Sequence, residues 1–97
     1  MTKIINHQEL EAEEQKLSDK YIKENDIVLE LGARYGTVSC TINKKLNFKN
    51  NQVVVEPDSR VWKALEKNIK NNNCNFHIIK GFIEKIGGFQ NVFIKTN

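Results

Sequence analysis

Apolar positions fall into two kinds of block along this chain, and the blocks predict its elements. From His7 to Lys23, Leu10, Leu17 and Tyr21 recur at i, i+7 and i+11, with Glu9, Glu11, Glu13, Glu14 and Lys16 between them. That narrow stripe predicts an N-terminal amphipathic helix, stopped by Glu24-Asn25-Asp26. Ile27-Val28-Leu29-Glu30-Leu31 is a short, nearly continuous apolar run ending at Gly32, the pattern of a strand buried on both faces. Val38, Ile42 and Leu46 step by four along a second helix, and Gln52-Val53-Val54-Val55-Glu56 repeats the buried-strand pattern up to Pro57. Val61, Ala64, Leu65, Asn68 and Ile69 lie at i, i+3, i+4, i+7 and i+8 of a third helix. Asp58 or Ser59 supplies its N-cap oxygen, and the run Asn71-Asn72-Asn73 ends it. Phe76 to Lys80 is a third strand closed by Gly81, and Asn91 to Lys95 a weaker fourth.

Strands alternating with helices predict a parallel sheet with right-handed crossovers. The expected class is α/β, a doubly wound, mostly parallel sheet with the N-terminal helix first. Residues 1–26 would pack on a domain formed by 27–97. The fourth strand is expected to pair with the first, in the order three, two, one, four. Its edge would then be open at the sheet's middle, and the chain would dimerise or associate with another part of the fold there.

Composition narrows this further. The chain has 97 residues, 39% hydrophobic and 28% charged, with a net charge of +3. That is one small domain, burying roughly 60–65% of the surface of its unfolded chain, and too apolar for disorder. No apolar run approaches the ~18 residues of a membrane span, and the acidic start MTKIINHQELEAEE has no export pattern, so a cytoplasmic location is expected. In that setting Cys40 and Cys74, which lack metal-ligand spacing, are expected to be reduced thiols, with a disulfide or a metal pair as the second reading. The basic residues are scattered: Lys44, Lys45, Lys49 and the row Lys63, Lys67, Lys70 read as solvated faces rather than a nucleic-acid patch.

Ligands of α/β folds bind outside the carboxyl ends of the strands. There the chain places Glu30 before the turn Gly32-Ala33-Arg34-Tyr35-Gly36, and Glu56 before Pro57. The turn is not the G-x-G-x-x-G of dinucleotide sites, because Arg34 holds the middle glycine's place. A carboxylate beside the turn would also repel a pyrophosphate. Glu56 can accept both hydroxyls of a ribose. Two carboxylates with a glycine turn between them suit a cationic, phosphate-free nucleoside, and S-adenosylmethionine is such a molecule. His77 lies mid-strand and His7 on an exposed helix, so neither is a candidate for catalysis.

The segment from Ile27 to about Asn72 resembles the cofactor-binding half of the class I S-adenosylmethionine-dependent methyltransferases, and is most similar to the FkbM-like branch. That family's first motif reads D-V-G-A-N-x-G-x-x-S, matched by Glu30, Gly32, Ala33, Gly36 and Ser39, with Arg34 in place of Asn. Its later E-P and L-x-x-N-x-x-x-N are matched by Glu56-Pro57 and by Leu65, Asn68 and Asn72. The resemblance implies that Glu30, Gly32, Ala33 and Gly36 hold the methionyl end of the cofactor and Glu56 its ribose. Pro57 would set the turn beneath the adenine, and Gly81 and Phe82 would meet its edge. It implies methyl transfer to an acceptor hydroxyl that the sequence does not name. Enzymes of this fold carry about seven strands where four are expected here, so the expectation is a truncated enzyme or a fragment of a longer one. The alternatives are a non-catalytic remnant acting as a binding or interaction module and, disfavoured by Glu30 and Arg34, half of an NAD-type dehydrogenase.

Overall fold

The computed structural model describes residues 2–6, 20–86 and 91–96. Its strands are β1 (Thr2–Asn6), β2 (Ile27–Leu31), β3 (Gln52–Glu56), β4 (His77–Ile86) and β5 (Asn91–Thr96). Two helices, α1 (Thr37–Lys45) and α2 (Trp62–Asn71), lie between β2 and β3 and between β3 and β4. The sheet runs β1-β2-β3-β4-β5, with β1 to β4 parallel and β5 antiparallel to β4. An α/β architecture is therefore present. The helix expected over His7 to Lys23 lies outside the described residues, except that Lys20 and Tyr21 are helical.

The strand order departs from expectation. β1 pairs with β2 from Thr2↔Ile27 to Asn6↔Leu31, so it occupies the flank of Ile27–Leu31 that the fourth strand was expected to take. Among the described residues the strands follow in consecutive order, without the reversal of a doubly wound sheet. The expected fourth strand is β5, paired along Gly81–Ile86 of β4. The physical reason is the length of β4. It was expected to close at Gly81 but continues to Ile86, leaving residues 87–90 to reach β5. A parallel crossover needs a dozen or more residues, whereas a hairpin needs only a few. The hairpin also pairs one side of β5 at the end of the sheet, so no open β5 edge lies at the sheet's middle.

Both helices cover the same face. Strand partners share a face, which groups Ile5 with Glu30 and Val54, and Val28 with Gln52. On that side Ile5, Val28, Ile22, Ile42 and Leu46 form one buried cluster. Cys40, Val54, Leu65, Cys74 and Phe76 form a second, against which Ala33, Ile69 and Ile78 pack. Fully burying an apolar side chain of this size contributes about 1.5–3 kcal/mol. On the opposite face Ile4 and Ile27 remain 60% and 51% exposed.

Cys40 and Cys74, expected first as reduced thiols, form a disulfide, the second reading. The sequence places them 34 residues apart and says nothing of their distance. The fold packs α1 and the turn after α2 into one cluster with Cα atoms 5.5 Å apart, inside the range a disulfide spans.

A polar lock holds β1 in place. Asp26 is buried and accepts a hydrogen bond from Lys23 N at 2.8 Å. Lys3 of β1 reaches to 3.9 Å from the same carboxylate, donates to Tyr21 O at 3.0 Å and lies 4.1 Å from the Tyr21 ring centre. The Lys23 amide and then the Lys3 charge hold the Asp26 carboxyl below its ordinary value of 3.8, against the opposing effect of burial. Between the lowered and the ordinary value the unfolded chain binds more protons than the folded one. The stabilisation is therefore complete above about pH 4 and lost as pH falls through the lowered value. Asp26→Asn should destabilise the protein at neutral pH, and urea denaturation should find the gap between variant and parent shrinking below pH 4.

Candidate functional site

The turn after β2 has three residues in the left-handed region, Gly32 (φ 80°), Arg34 (φ 55°) and Gly36 (φ 83°). Gly32 N donates to Val55 O at 2.8 Å, and Gly36 N to Ala33 O at 3.0 Å. Gly36 then caps α1, whose first bond runs from Cys40 N to Gly36 O. A Cβ on Gly36 would lie 2.6 Å from Leu65 Cδ1, so the turn sits directly on α2. Asn68 of α2 donates to Tyr35 O at 2.8 Å from the same side.

Glu56, at the end of β3, joins this turn to the next. Its Oε1 accepts from Arg34 N at 2.6 Å and its Oε2 from Asp58 N at 2.9 Å. The Glu56 carbonyl accepts from Trp62 Nε1 at 2.8 Å. Asp58 caps the short 3₁₀ turn Ser59–Val61 that leads into α2, accepting from Arg60 N at 3.0 Å.

Between the two turns lies a cavity of about 370 Å³. One wall is Gly32, Arg34 and Tyr35; the other is Glu56, Pro57 and Asp58, extended by Arg60 and Val61. Arg60 pairs with Asp58 through Nη2–Oδ2 at 2.9 Å and Nε–Oδ1 at 3.0 Å. The Arg60 side chain, its amide and its charge, with Arg34 adding to them, hold the Asp58 carboxyl below the usual range, while Asp58 raises Arg60. Arg60 is exposed and Asp58 half-buried, so the pair shapes the rim more than it stabilises the fold.

The structure brings Gly32, Glu56 and Pro57 together in this cavity. Glu30 is elsewhere. It lies fully buried beneath the turn, where it accepts from Ser39 Oγ at 2.8 Å and from Gln52 Nε2. Ala33 packs downward on the second core cluster, and Gly36 faces Leu65. Gly81 is buried and Phe82 is 44% exposed, and neither belongs to the cavity walls. Tyr35, Arg60 and Val61 were not singled out as site residues from the sequence. Arg60 and Val61 could have been found from their place just after the second strand end, where α/β sites lie. No protein-family model, curated protein or solved structure matches this chain.

The close approach at Gly36 gives a direct test. Gly36→Ala adds a methyl against Leu65 in a left-handed backbone, combining overpacking with strain. It should destabilise the protein by about 2–4 kcal/mol, read as the loss in urea-unfolding free energy.

Proposed function

We propose that this chain forms the S-adenosylmethionine-binding part of a methyltransferase fold, which transfers the methyl group to an acceptor hydroxyl. The observation that carries the reading is the Glu56 carboxylate on the cavity wall, with each oxygen fixed by one backbone N–H. A carboxylate oxygen has two acceptor sites. Each oxygen of Glu56 therefore keeps one, at fixed spacing, to accept a hydroxyl of a ribose diol. Pro57 and Val61 offer apolar surface for a base beside it.

The balance of charge supports a phosphate-free ligand. Glu56 and Asp58 are matched by Arg34 and Arg60, so the walls carry no net positive charge of the kind that would hold a dinucleotide pyrophosphate. Arg34 would meet the carboxylate of the methionyl end. Glu30 would act on the cofactor only through the turn it supports. Methyl transfer from a sulfonium then depends on holding an acceptor about 3–3.5 Å away in line, a task for groups outside this cavity. The second reading, a non-catalytic cofactor-binding or interaction module, is favoured by β1, which closes the flank of β2 with the chain's own strand.

Calorimetry should find S-adenosylmethionine or its homocysteine product binding while NAD does not. Glu56→Gln should weaken binding by roughly 1.5–3 kcal/mol, the range for a hydrogen bond to a charged group. Equal affinity of variant and parent would remove Glu56 from the site. Formation of the homocysteine product with a hydroxylated acceptor separates the enzyme from the binding module.

A further inference from the structure

The disulfide joins the two helices that lead out of the cavity walls, and Cys40 N bonds to Gly36 O of the glycine turn at 2.9 Å. Cys40 is in the first turn of α1, whose backbone continues from the Gly32–Gly36 wall. Cys74 ends the turn after α2, the helix that continues from the Glu56–Val61 wall. The walls are tied directly by the bond of Glu56 to Arg34 N, and the helices that continue from them by Cys40–Cys74. Between these ties lie Ala33 and Leu65, packed in the same cluster as both cysteines. Leu65 is also the side chain that Gly36 leaves room for.

We propose that Cys40–Cys74 is a thiol–disulfide control element for the cavity: the closed bond holds the two walls at binding distance, and its reduction loosens them. The inference rests on the cavity being a ligand site, as proposed above. The step is an exchange with a dithiol. A thiolate of the dithiol attacks one sulfur and breaks the S–S bond, and its second thiol displaces the mixed disulfide. The dithiol is oxidised to a disulfide, and its two electrons and two protons leave Cys40 and Cys74 as thiols. Each sulfur then needs its own van der Waals space in a cluster packed without slack. That cluster includes Leu65, the side chain beneath Gly36, and Ala33 of the turn, so the added volume bears on the turn.

The route of attack is through Cys74. The cysteines are only 6% and 8% exposed, but Cys74 lies in the polar segment Asn71–Asn75, whose asparagines are all exposed. Asn73 there is in the left-handed region, with φ 54°.

The test compares the oxidised protein with the same protein held in dithiothreitol, by ¹H–¹⁵N spectra and by titration with S-adenosylhomocysteine. The expected result is a folded reduced form whose Gly32, Ala33, Gly36 and Glu56 amides shift. Its affinity should be lower by roughly 5- to 150-fold, the usual range of coupling between two sites. The variant Cys40→Ser, which leaves a free Cys74 thiol beside a hydroxyl in the same cluster, should bind like the reduced form. Three results would overturn the proposal: shifts confined to the neighbours of the two cysteines, equal affinity of both forms, or a native protein whose disulfide resists excess dithiothreitol. Global unfolding on reduction would overturn it too, since the bond would then be a staple. Shifts at the turn with no adenosyl binding by either form would leave the control element standing and remove the adenosyl reading instead.

Discussion

A carboxylate with no accessible surface must find its hydrogen bonds inside the protein, because burying it unpaired is too costly. Glu30 finds them in Ser39 of α1 and Gln52 of β3, and that requirement fixes how the elements meet. Gln52 Nε2 also donates to Ser39 O, and its Oε1 accepts from Asn43 Nδ2. Asn43 in turn bonds the carbonyls of Lys49 and Asn75 and accepts from Asn75 N. One network therefore sets the height of α1 over the sheet, the start of β3 and the entry to β4. The glycine turn has its geometry because α1 is held at that height.

The two strand-end carboxylates consequently do different work, although both look alike as acidic residues ending apolar runs. Glu30 bonds to side chains beneath the turn, whereas Glu56, itself only 3% exposed, bonds to backbone amides of two loops and lines the cavity. The difference follows from position along the strand. Glu30 is followed by Leu31, still in β2, while Glu56 is the last residue of β3. One residue of strand beyond the carboxylate keeps it within the layer between sheet and helix. Ending the strand on it brings it to the loops.

Much of this was legible in the chain. The runs Ile27–Leu31 and Gln52–Glu56, the helix faces around Ile42 and Leu65, and the turns at Gly32–Gly36 and Asn71–Asn73 all carry strong local signals. Asn68 and Asn72, noticed as a pattern, have plain roles: Asn68 bonds the turn at Tyr35 O and Asn72 bonds Asn68 O. Gln52 was a missed signal. It shares a face with Val54 and Glu56 by strand alternation, and a polar residue on a buried face announces an internal partner. Thr2–Asn6 could not be read, since its two isoleucines point to opposite faces and only Ile5 is buried. The pairing of β5 and the meeting of Cys40 with Cys74 depend on long-range geometry, which periodicity does not encode.

Arg34 is where sequence preference and structure disagree most, and the disagreement is informative. A left-handed backbone favours glycine or asparagine, and an arginine there is strained. It persists because Glu56 Oε1 binds its amide at 2.6 Å, with Gly32 and Gly36 bending the chain on either side. The turn's shape is therefore imposed by the carboxylate and the glycines rather than by the residue at its tip. That leaves the side chain at this position free to be chosen for charge. A guanidinium on the wall offsets the carboxylates of Glu56 and Asp58, and its pull on Asp58 is felt across the cavity. An asparagine would relieve the backbone but leave the walls with an uncompensated negative charge, so at this position backbone ease and the charge balance of the cavity pull in opposite directions.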